Sequence, residues 1–448
     1  MKSAVYREFG GLKTQFNPLD APQASFLRCE NFLLNRELGG LVKRGGSEAW
    51  TITGDVRGLG GYVKKNNAAI GTPIVEYPII HRRNGSTSYF DYYNWGTSTW
   101  TTLTQGANMS GQIGIGGICS FAQQDDLLCI AAGRVGKLMA YNGTINRLGG
   151  PAPTAAPTVA AGAAGVLTSS GAGYRWCYTF YDSTSGWESS PSPYSAFLSL
   201  TAQKGELSAI ETTCAREGVD KVRIYRTIET GEEPFLYVAT INLATTTYSD
   251  NIADDTLGVN APDADDHEPP PGDCYICIAF ANRIWVASGS QLWYSKPYIG
   301  NPVDLEYFSP ERVFDFPQRV TGLARFQQLL LVFMPPNFGI TQIRAQTDGE
   351  FSDSEFHPTD GTNWHHSISS FDRYLTFWGA VGPKLYDQSG PVDRYDEDIK
   401  NYLRDTIVRE YNNNVFIWSV FHEETDQFIY CFSANSQESQ WQDVLSGI

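Results

Sequence analysis

The sequence predicts an all-β protein: about a six-bladed β-propeller with an inserted immunoglobulin- or fibronectin-III-like β-sandwich and one short helix. The first observation is composition. The chain of 448 residues has 43 glycines and only 18% charged residues, whereas a typical soluble domain has about 25% charged residues and about 7% glycine. The second is a strand-rich segment that recurs along the chain. The third is a block of short strands that interrupts the series of recurring segments. Together the three observations favour a turn-rich β architecture.

The recurring segment has a short strand ending in an aromatic residue, a polar turn, a strongly apolar strand, and a third strand carrying Leu or Ile. Four copies begin at Ile118, Cys274, Val320 and Ser367. The last three are anchored by Phe280, Phe326 and Phe371, about 45 residues apart. A period of about 40–50 residues with several strands per unit is typical of propeller blades. The apolar middle strand suits a position covered on both faces.

Two further units complete the repeat. One precedes the four copies and extends from VRGLGGYVKK to SYFDYYNWGTSTWTTLT, and the other ends the chain. In the final unit, VFIWSVF and QFIYCFS are predicted to pair across the turn HEETD. We therefore divide the chain into an N-terminal segment (1–50), propeller blades (51–150 and 266–448) and an insert (151–265).

The insert is predicted between two linkers, Gly149–Gly165 and Asn260–Asp273, both rich in small residues or proline. The expected strands are YRWCYTFYD, YSAFLSL, KVRIYRTI, PFLYVATI and TTTYSD. Several short strands with closely spaced turns over roughly 100 residues favour a β-sandwich.

One helix is predicted near the C-terminus, in EDIKNYLRDTIVREY. Ile399, Leu403 and Ile407 fall at i, i+4 and i+8 on one helical face. The acidic residues that begin the segment lie at the positive end of the helix dipole.

Charge excludes one class of function. The formal net charge is −16, which argues against a broad basic surface that grips nucleic acid.

No stretch approaches the roughly 20 apolar residues that a membrane span needs, and the N-terminus has no apolar core of a secretory signal. The eight cysteines are scattered, so we expect reduced thiols in the core of a protein made in the cytoplasm.

No catalytic, cofactor or metal site is predicted. Cys274 and Cys277 resemble half of a metal site, but residues three apart on a strand point to opposite faces, which favours core cysteines. The pair His365–His366 is interpreted as a turn pair rather than a ligand set. The acidic run at 263–268 is flanked by prolines, so a solvated linker is favoured over a calcium site. Gly111–Gly117 precedes a strand and is interpreted as a turn. Hydrolase, zinc-protease and P-loop motifs are absent from the sequence.

Tryptophans in the predicted blade turns leave two interpretations open. Trp95, Trp100, Trp364 and Trp441 are suited to stacking on sugars, but such residues more often pack between blades. Packing is favoured.

Three segments carry a resemblance to a known family. NPLDAPQASFLRCENFLLNRELGGLVKRGG resembles the opening of tail and neck proteins of tailed bacteriophages. The insert is similar to fibronectin-III-like modules of such virion proteins, and the predicted acidic helix before the last blade also fits them. The resemblance is to the tail nozzle or tail tubular (neck) β-propeller proteins of short-tailed phages.

The resemblance implies a structural virion protein of the tail, synthesised in the host cytoplasm, without catalytic residues or cofactors. It implies a homo-oligomeric ring, a hexamer, beneath the portal and adaptor, which retains the genome and then guides double-stranded DNA without binding it specifically.

An acidic channel wall follows from this expectation, because DNA carries about one negative charge per 1.7 Å of its axis and a conduit should repel it. The candidate lining residues are Asp348, Glu350, Asp353, Glu355, Asp360, Asp393, Asp396, Glu397 and Asp398. The other interpretation is a solubilising outer surface. A rival function is a carbohydrate-binding or glycan-degrading propeller that recognises a receptor.

Overall fold

The protein is all-β in the computed structural model. The structure describes residues 32–35, 40–43, 52, 55–64, 75–84, 87–109, 119–347, 349–371, 374–380, 382–387, 390–391, 415–422 and 427–434. The chain forms two compact units, one comprising Val56–Asp315 and the other comprising Phe316–Ile448 with Met1–Asp55. Within the described residues no helix has the length and apolar character to cross a bilayer.

The strands of the first two thirds of the chain are β1 (Phe32–Asn35), β2 (Gly40–Lys43), β3 (Asp55–Val63), β4 (Glu76–Asn84), β5 (Thr87–Asn94), β6 (Thr99–Thr102), β7 (Ser120–Gln124), β8 (Leu127–Ala132), β9 (Arg134–Leu138), β10 (Asn146–Arg147), β11 (Thr158–Leu167), β12 (Trp176–Tyr181), β13 (Gln203–Ser208), β14 (Lys221–Arg226), β15 (Leu236–Asn242), β16 (Tyr248–Asp250), β17 (Cys274–Phe280), β18 (Arg283–Ser288), β19 (Gln291–Tyr294) and β20 (Val313–Asp315).

The remaining strands are β21 (Gly322–Phe326), β22 (Leu329–Phe333), β23 (Ile340–Ala345), β24 (Phe351–His357), β25 (Ser369–Phe371), β26 (Tyr374–Trp378), β27 (Pro383–Asp387), β28 (Gly390–Pro391), β29 (Val415–His422) and β30 (Gln427–Ala434). Short 3-10 turns cover Asp254–Thr256, Pro302–Glu306 and His365–Ser367.

Five four-stranded sheets occur in the described part of the chain. Sheet 1 is β3–β6, sheet 2 is β7–β10, sheet 3 is β17–β20, sheet 4 is β21–β24 and sheet 5 is β25–β28. In each sheet, neighbours in space are neighbours in sequence, and the pair β29–β30 forms the predicted terminal hairpin. Phe280, Phe326 and Phe371 each end the first strand of their sheet. The predicted repeat is therefore confirmed as a repeat of antiparallel sheets.

The middle strand β8 is buried on both faces, as its apolar sequence predicts. Because side chains alternate along a strand, its residues divide into two sets. Leu128 and Ile130 join a core with Phe90 of sheet 1, whereas Leu127 and Cys129 join a core with residues of sheet 3. Sheets 1, 2 and 3 consequently pack in succession, with sheet 2 in the middle.

The unit that contains Phe316–Ile448 has its own core between sheets 4 and 5. The rings of Phe333 in β22 and Phe377 in β26 meet edge to face, with centroids 5.0 Å apart. Leu331 and Leu375 lie in the same core and are inaccessible to solvent.

The insert follows sheet 2 and precedes sheet 3 in the sequence. It consists of two three-stranded sheets, β11-β13-β16 and β12-β14-β15. Leu167 and Leu207 of the first sheet share a buried core with Trp176 and Ile224 of the second. The two sheets are therefore held together by a common apolar core.

The entering linker was predicted too long. Residues 158–167, within and just beyond Gly149–Gly165, form β11, which pairs with β13. Six of its ten residues are Ala or Gly, so the alternation between its two faces produces little contrast in hydrophobicity, which explains why the sequence pattern favours a linker.

A second correction concerns YSAFLSL, which was predicted as a strand. Its residues are not a strand of either insert sheet. They continue a proline-containing segment along the edge of β12, in which Ser189, Ser192 and Ser195 accept hydrogen bonds through their hydroxyls from the backbone N–H groups of Phe180, Tyr178 and Trp176 at 2.9, 3.1 and 3.0 Å. We call these three residues the serine ladder. It covers a sheet edge that would otherwise expose unpaired backbone groups.

Two predicted local structures lie outside the described residues. These are the helix that was predicted to begin after Asp396 and the glycine turn Gly111–Gly117.

Candidate functional site

The edge strand β24 carries part of the predicted acidic surface. It pairs with β23 and ends sheet 4 on that side. Asp353 and Glu355 lie opposite Ile343 and Thr341, and both acidic side chains are exposed. Because they are two residues apart on one strand, they point to the same face. Glu350 is exposed just before the strand, so three carboxylates are presented along one sheet edge.

Asp360 differs from these three residues. It is half-buried and accepts a hydrogen bond from the hydroxyl of Tyr386. The ammonium group of Lys384 lies 3.8 Å from its carboxylate. Burial, together with the Asp360 carboxylate, raises the pKa of Tyr386 well above its ordinary value. Asp360 therefore has a structural role: it links the end of sheet 4 to Tyr386 in sheet 5. The other candidates, Asp348, Asp393, Asp396, Glu397 and Asp398, lie outside the described residues.

A buried ionic cluster joins the insert to sheet 2 and to the turn at Pro302–Glu306. Arg216 of the insert donates from Nε to Glu306 Oε2 at 2.9 Å and from Nη1 to Asp182 Oδ2 at 2.9 Å. Lys137 of β9 donates to the other carboxylate oxygen of Glu306. The Arg216 guanidinium also lies over the ring of Trp187, 4.6 Å from its centroid. We call Lys137, Asp182, Arg216 and Glu306 the ionic clamp.

The charges of the ionic clamp depend on one another. Burial disfavours the charge of Glu306, but Lys137 and Arg216 hold the pKa of its carboxyl below the ordinary value. Burial lowers the pKa of Lys137 even though Glu306 opposes that shift. Removing one partner would leave an uncompensated charge in the interior, which is the costly situation. The clamp therefore fixes the insert against sheet 2.

In the segment that leaves the insert, residues 266–268 are packed whereas residues 263–265 are exposed, so the prediction of a solvated linker at 263–268 is wrong for the second half of the run. Asp266 forms ion pairs with Lys296 and Arg312. His267 stacks on Tyr307 with ring centroids 3.8 Å apart, and its Nδ1 lies 2.9 Å from the carbonyl oxygen of Glu188. The leaving end of the insert is consequently held by ion pairs and ring stacking with residues 296–312.

Cys274 and Cys277 are buried core cysteines, as predicted, but their predicted orientation was wrong. Both belong to the core between sheets 2 and 3. The pairing of β17 with β18 shifts register between Cys274 and Ile276, and a bulge of this kind interrupts the alternation of side chains. Burial raises the pKa of Cys274 to about 12. Within the described residues, no group of three or more His, Cys, Asp or Glu side chains is arranged to hold a metal ion.

The histidine pair occupies the 3-10 turn His365–Ser367. The two imidazole rings are 5.1 Å apart, and His366 stacks on Trp418 of β29 with centroids 4.0 Å apart. The pair therefore packs within its unit.

Among the tryptophans considered for stacking on sugars, one is exposed and not packed between sheets. Trp95 lies in the turn between β5 and β6 and is 51% exposed. Its Nε1 donates to the carbonyl of Glu76 at 2.8 Å, and Tyr93 meets its ring edge to face at 4.8 Å. Trp100 contacts the same tyrosine at 5.4 Å. Trp364 is half-buried, and Trp441 lies outside the described residues.

No protein family and no curated protein matches the sequence. A solved protein from Lactobacillus plantarum is 10% identical, with a TM-score of 0.28 over 80% of this chain and 88% of that chain. A candidate 6-phosphogluconolactonase from Bacteroides uniformis is 11% identical, with a TM-score of 0.30 over 81% of this chain and 90% of that chain. AztD from Citrobacter koseri is 10% identical, with a TM-score of 0.23 over 75% of this chain and 91% of that chain.

Proposed function

We propose that this chain is a structural protein of a bacteriophage tail, which assembles as a homo-oligomeric ring, a hexamer, in the tail nozzle or tail tube. In this proposal the five four-stranded sheets and the hairpin β29–β30 are six blades of one propeller. The two sheets of the insert form a sandwich of the immunoglobulin or fibronectin-III kind. The ring retains the genome and then guides double-stranded DNA during ejection, in contact with portal and adaptor proteins.

The exposed acidic edge β24 is the observation that carries the proposal. Asp353 and Glu355 are exposed on one face of a strand, in a chain whose formal net charge is −16. A surface of this sign repels the phosphates of a passing duplex and does not retain them.

The ionic clamp supports the ring assembly. A module that is fixed by buried charges presents a defined surface to the next copy, and defined heterologous contacts between identical chains can close into a ring. The insert would then serve as a rigid spacer between neighbouring copies or between successive layers of the tail.

A mass measurement of the purified chain tests the ring. Native mass spectrometry and negative-stain imaging should show a six-fold assembly with a channel of duplex width, alone or after addition of portal and adaptor proteins. A monodisperse monomer that joins neither protein would contradict the proposal.

Charge reversal tests the channel wall. In the double variant Asp353→Lys and Glu355→Lys, the ring should retain duplex DNA in a salt-dependent manner, because each new cation can displace a counterion from the phosphates. A matched control reverses two exposed acidic residues of the insert, Glu229→Lys and Asp255→Lys. Equal retention by both variants would show that β24 does not face the DNA.

A second candidate function is glycan recognition, and the exposure of Trp95 favours it. An indole that is half in solvent, with its N–H already bonded, offers its ring face to a sugar. A glycan array should show binding that Trp95→Ala removes, whereas Phe338→Ala, at a phenylalanine that is 48% exposed, should leave it unchanged. An array without signal for the native protein would eliminate this candidate.

A further inference from the structure

The insert contains four arginines, and one of them lacks an acidic partner. Arg216, Arg223 and Arg226 each form an ion pair with an aspartate or glutamate. Across the described residues, no carboxylate lies within ion-pair distance of Arg175; its Nε donates to the carbonyl oxygen of Ser195 at 3.3 Å. Its two terminal nitrogens have no hydrogen-bond partner within that same part of the chain, so the fork of the guanidinium is available.

Two aromatic rings flank this guanidinium at the surface. The central carbon of the Arg175 guanidinium lies 4.9 Å from the ring centroid of Tyr194 and 4.8 Å from that of Phe197. Tyr194 in turn stacks on the buried Phe235 with centroids 4.3 Å apart. Phe197 is 52% exposed. The half-buried arginine is therefore oriented by contacts with two rings, one of which is exposed.

A loop closes one side of this arrangement. Gly231 has a φ of +78°, and a Cβ at this position would lie 2.7 Å from the ring of Phe197. Glu233, farther along the same loop, is exposed. Burial and the Glu233 carboxylate together raise the pKa of the Tyr194 hydroxyl, which shows that Glu233 lies close to the tyrosine. An acceptor group thus lies beside Tyr194, the ring that Arg175 contacts.

We propose that Arg175, Tyr194, Phe197 and Glu233 form a binding site for a carboxylate-bearing sugar, such as a uronic acid residue of a polysaccharide. The guanidinium fork matches a carboxylate in bidentate geometry. The exposed ring of Phe197 suits the C–H face of a sugar, and Glu233 accepts hydrogen bonds from sugar hydroxyls. This site extends the function beyond the ring and does not depend on it.

The negative charge of Glu233 distinguishes a sugar from an acidic peptide. A run of aspartates or glutamates offers carboxylates to Arg175 but no hydroxyl donors to Glu233, whereas every uronate residue carries hydroxyls beside its carboxylate. A sugar with one carboxylate and several hydroxyls meets the cation and the acceptor at the same time. The sugar is therefore the ligand that this pair of charges favours.

Calorimetric titration with a short oligogalacturonate tests the site, with a neutral galactose oligomer of equal length as the comparison. The native protein should bind the charged oligomer and not the neutral one. Arg175→Gln should weaken binding at least about tenfold, because a charge-assisted hydrogen bond to a carboxylate is lost. Phe197→Ala should weaken it as well, whereas Val166→Ala, at an exposed valine on the other insert sheet, should have no effect.

Circular dichroism checks that each variant is folded. If Arg175→Gln is unfolded, Arg175→Lys is used in its place. The lysine keeps the charge and loses the fork, so it should also bind at least about tenfold more weakly. Absence of uronate binding by the native protein, equal binding of the neutral oligomer, or unchanged binding by the arginine variants would each overturn the proposal. Tighter binding of a glutamate-rich peptide than of the oligogalacturonate would overturn it in favour of a peptide partner.

Discussion

Ser192 and Tyr178 exchange two hydrogen bonds across the edge of β12: the Ser192 hydroxyl accepts from the Tyr178 N–H at 3.1 Å, and the Ser192 N–H donates to the Tyr178 carbonyl at 2.8 Å. A side chain thus takes the place that the carbonyl of a neighbouring strand would occupy. Because Tyr178 is inaccessible to solvent, its N–H has no access to water as a substitute. The serine ladder is therefore a structural element of the insert.

Replacement of this hydroxyl should destabilise the protein. In Ser192→Ala a buried N–H loses its acceptor, and we expect a loss of about 1–3 kcal/mol in the free energy of unfolding. Urea denaturation measures it. Ser208→Ala, at an exposed serine at the end of β13, is the matched control and should change stability by less than about 0.5 kcal/mol. Equal effects of the two substitutions would refute the role of the ladder.

The ionic clamp should be the more sensitive element. Glu306→Gln removes the charge that faces both Lys137 and Arg216, and breaking a buried pair from one side costs about 3–5 kcal/mol. Thermal and urea unfolding of the whole chain should show this loss, whereas Glu311→Gln at an exposed position should have little effect. A loss below about 1 kcal/mol for Glu306→Gln would mean that the clamp does not fix the insert.

Acid should weaken the protein through His81. This residue is 2% exposed, and neither of its ring nitrogens has a hydrogen-bond partner among the described residues. Burial, with a smaller contribution from the charge of Arg57, lowers the pKa of His81 to about 4. The unfolded chain, with an ordinary pKa of about 6.5, binds the proton first, so stability is complete above that pH and is lost as the pH falls toward 4.

The loss should reach about 1.4 kcal/mol per pH unit for this single group. Urea unfolding at several pH values between 7 and 4.5 measures it, and the comparison is with His81→Leu, which removes the titrating ring and keeps an apolar side chain against Phe90. The difference in stability between the two proteins should change with pH in the direction that favours the variant in acid. A pH-independent difference would exclude His81 as the cause.

Substitution of Asp360 should lower the free energy of unfolding more than substitution of Asp353 does. Asp360→Asn replaces the charged acceptor of the Tyr386 hydroxyl with a neutral amide and removes the counter-charge of Lys384, so we expect a loss of about 1–2 kcal/mol in the free energy of unfolding. Asp353→Asn, on the exposed face of β24, should change it by less than about 0.5 kcal/mol. If the two losses were equal, the distinction between a structural and a surface carboxylate would fail.

The sequence supported the repeat because its signals are local. An aromatic residue at the end of one strand and an apolar run in the next, as at Phe326 and β22, lie within a few residues of each other. Composition misled where side chains are small: in β11, Ala and Gly give both faces almost the same hydrophobicity. The proline-containing serine ladder was also invisible, because its hydrogen bonds involve residues that are ordinarily typical of turns.

The candidate site was only partly predictable, because its interactions join residues that are far apart in the sequence. Acidic residues are visible in a sequence, but the partner that makes Asp360 structural, Tyr386, lies 26 residues away. The ionic clamp depends on charges up to 169 residues apart, and a single sequence carries no signal of such pairs. A bulge such as the one between Cys274 and Ile276 also depends on the partner strand.

The ionic clamp also constrains the order in which contacts can form while the chain is being synthesised. Arg216 precedes Glu306 by 90 residues, so the ribosome releases the whole insert before its main counter-charge exists. At a translation rate of about 5–20 residues per second, the delay lasts several seconds or more. During that time the insert can fold its own apolar core, while the surface around Arg216 stays hydrated. The complete ionic clamp can therefore form only after Glu306 has been synthesised.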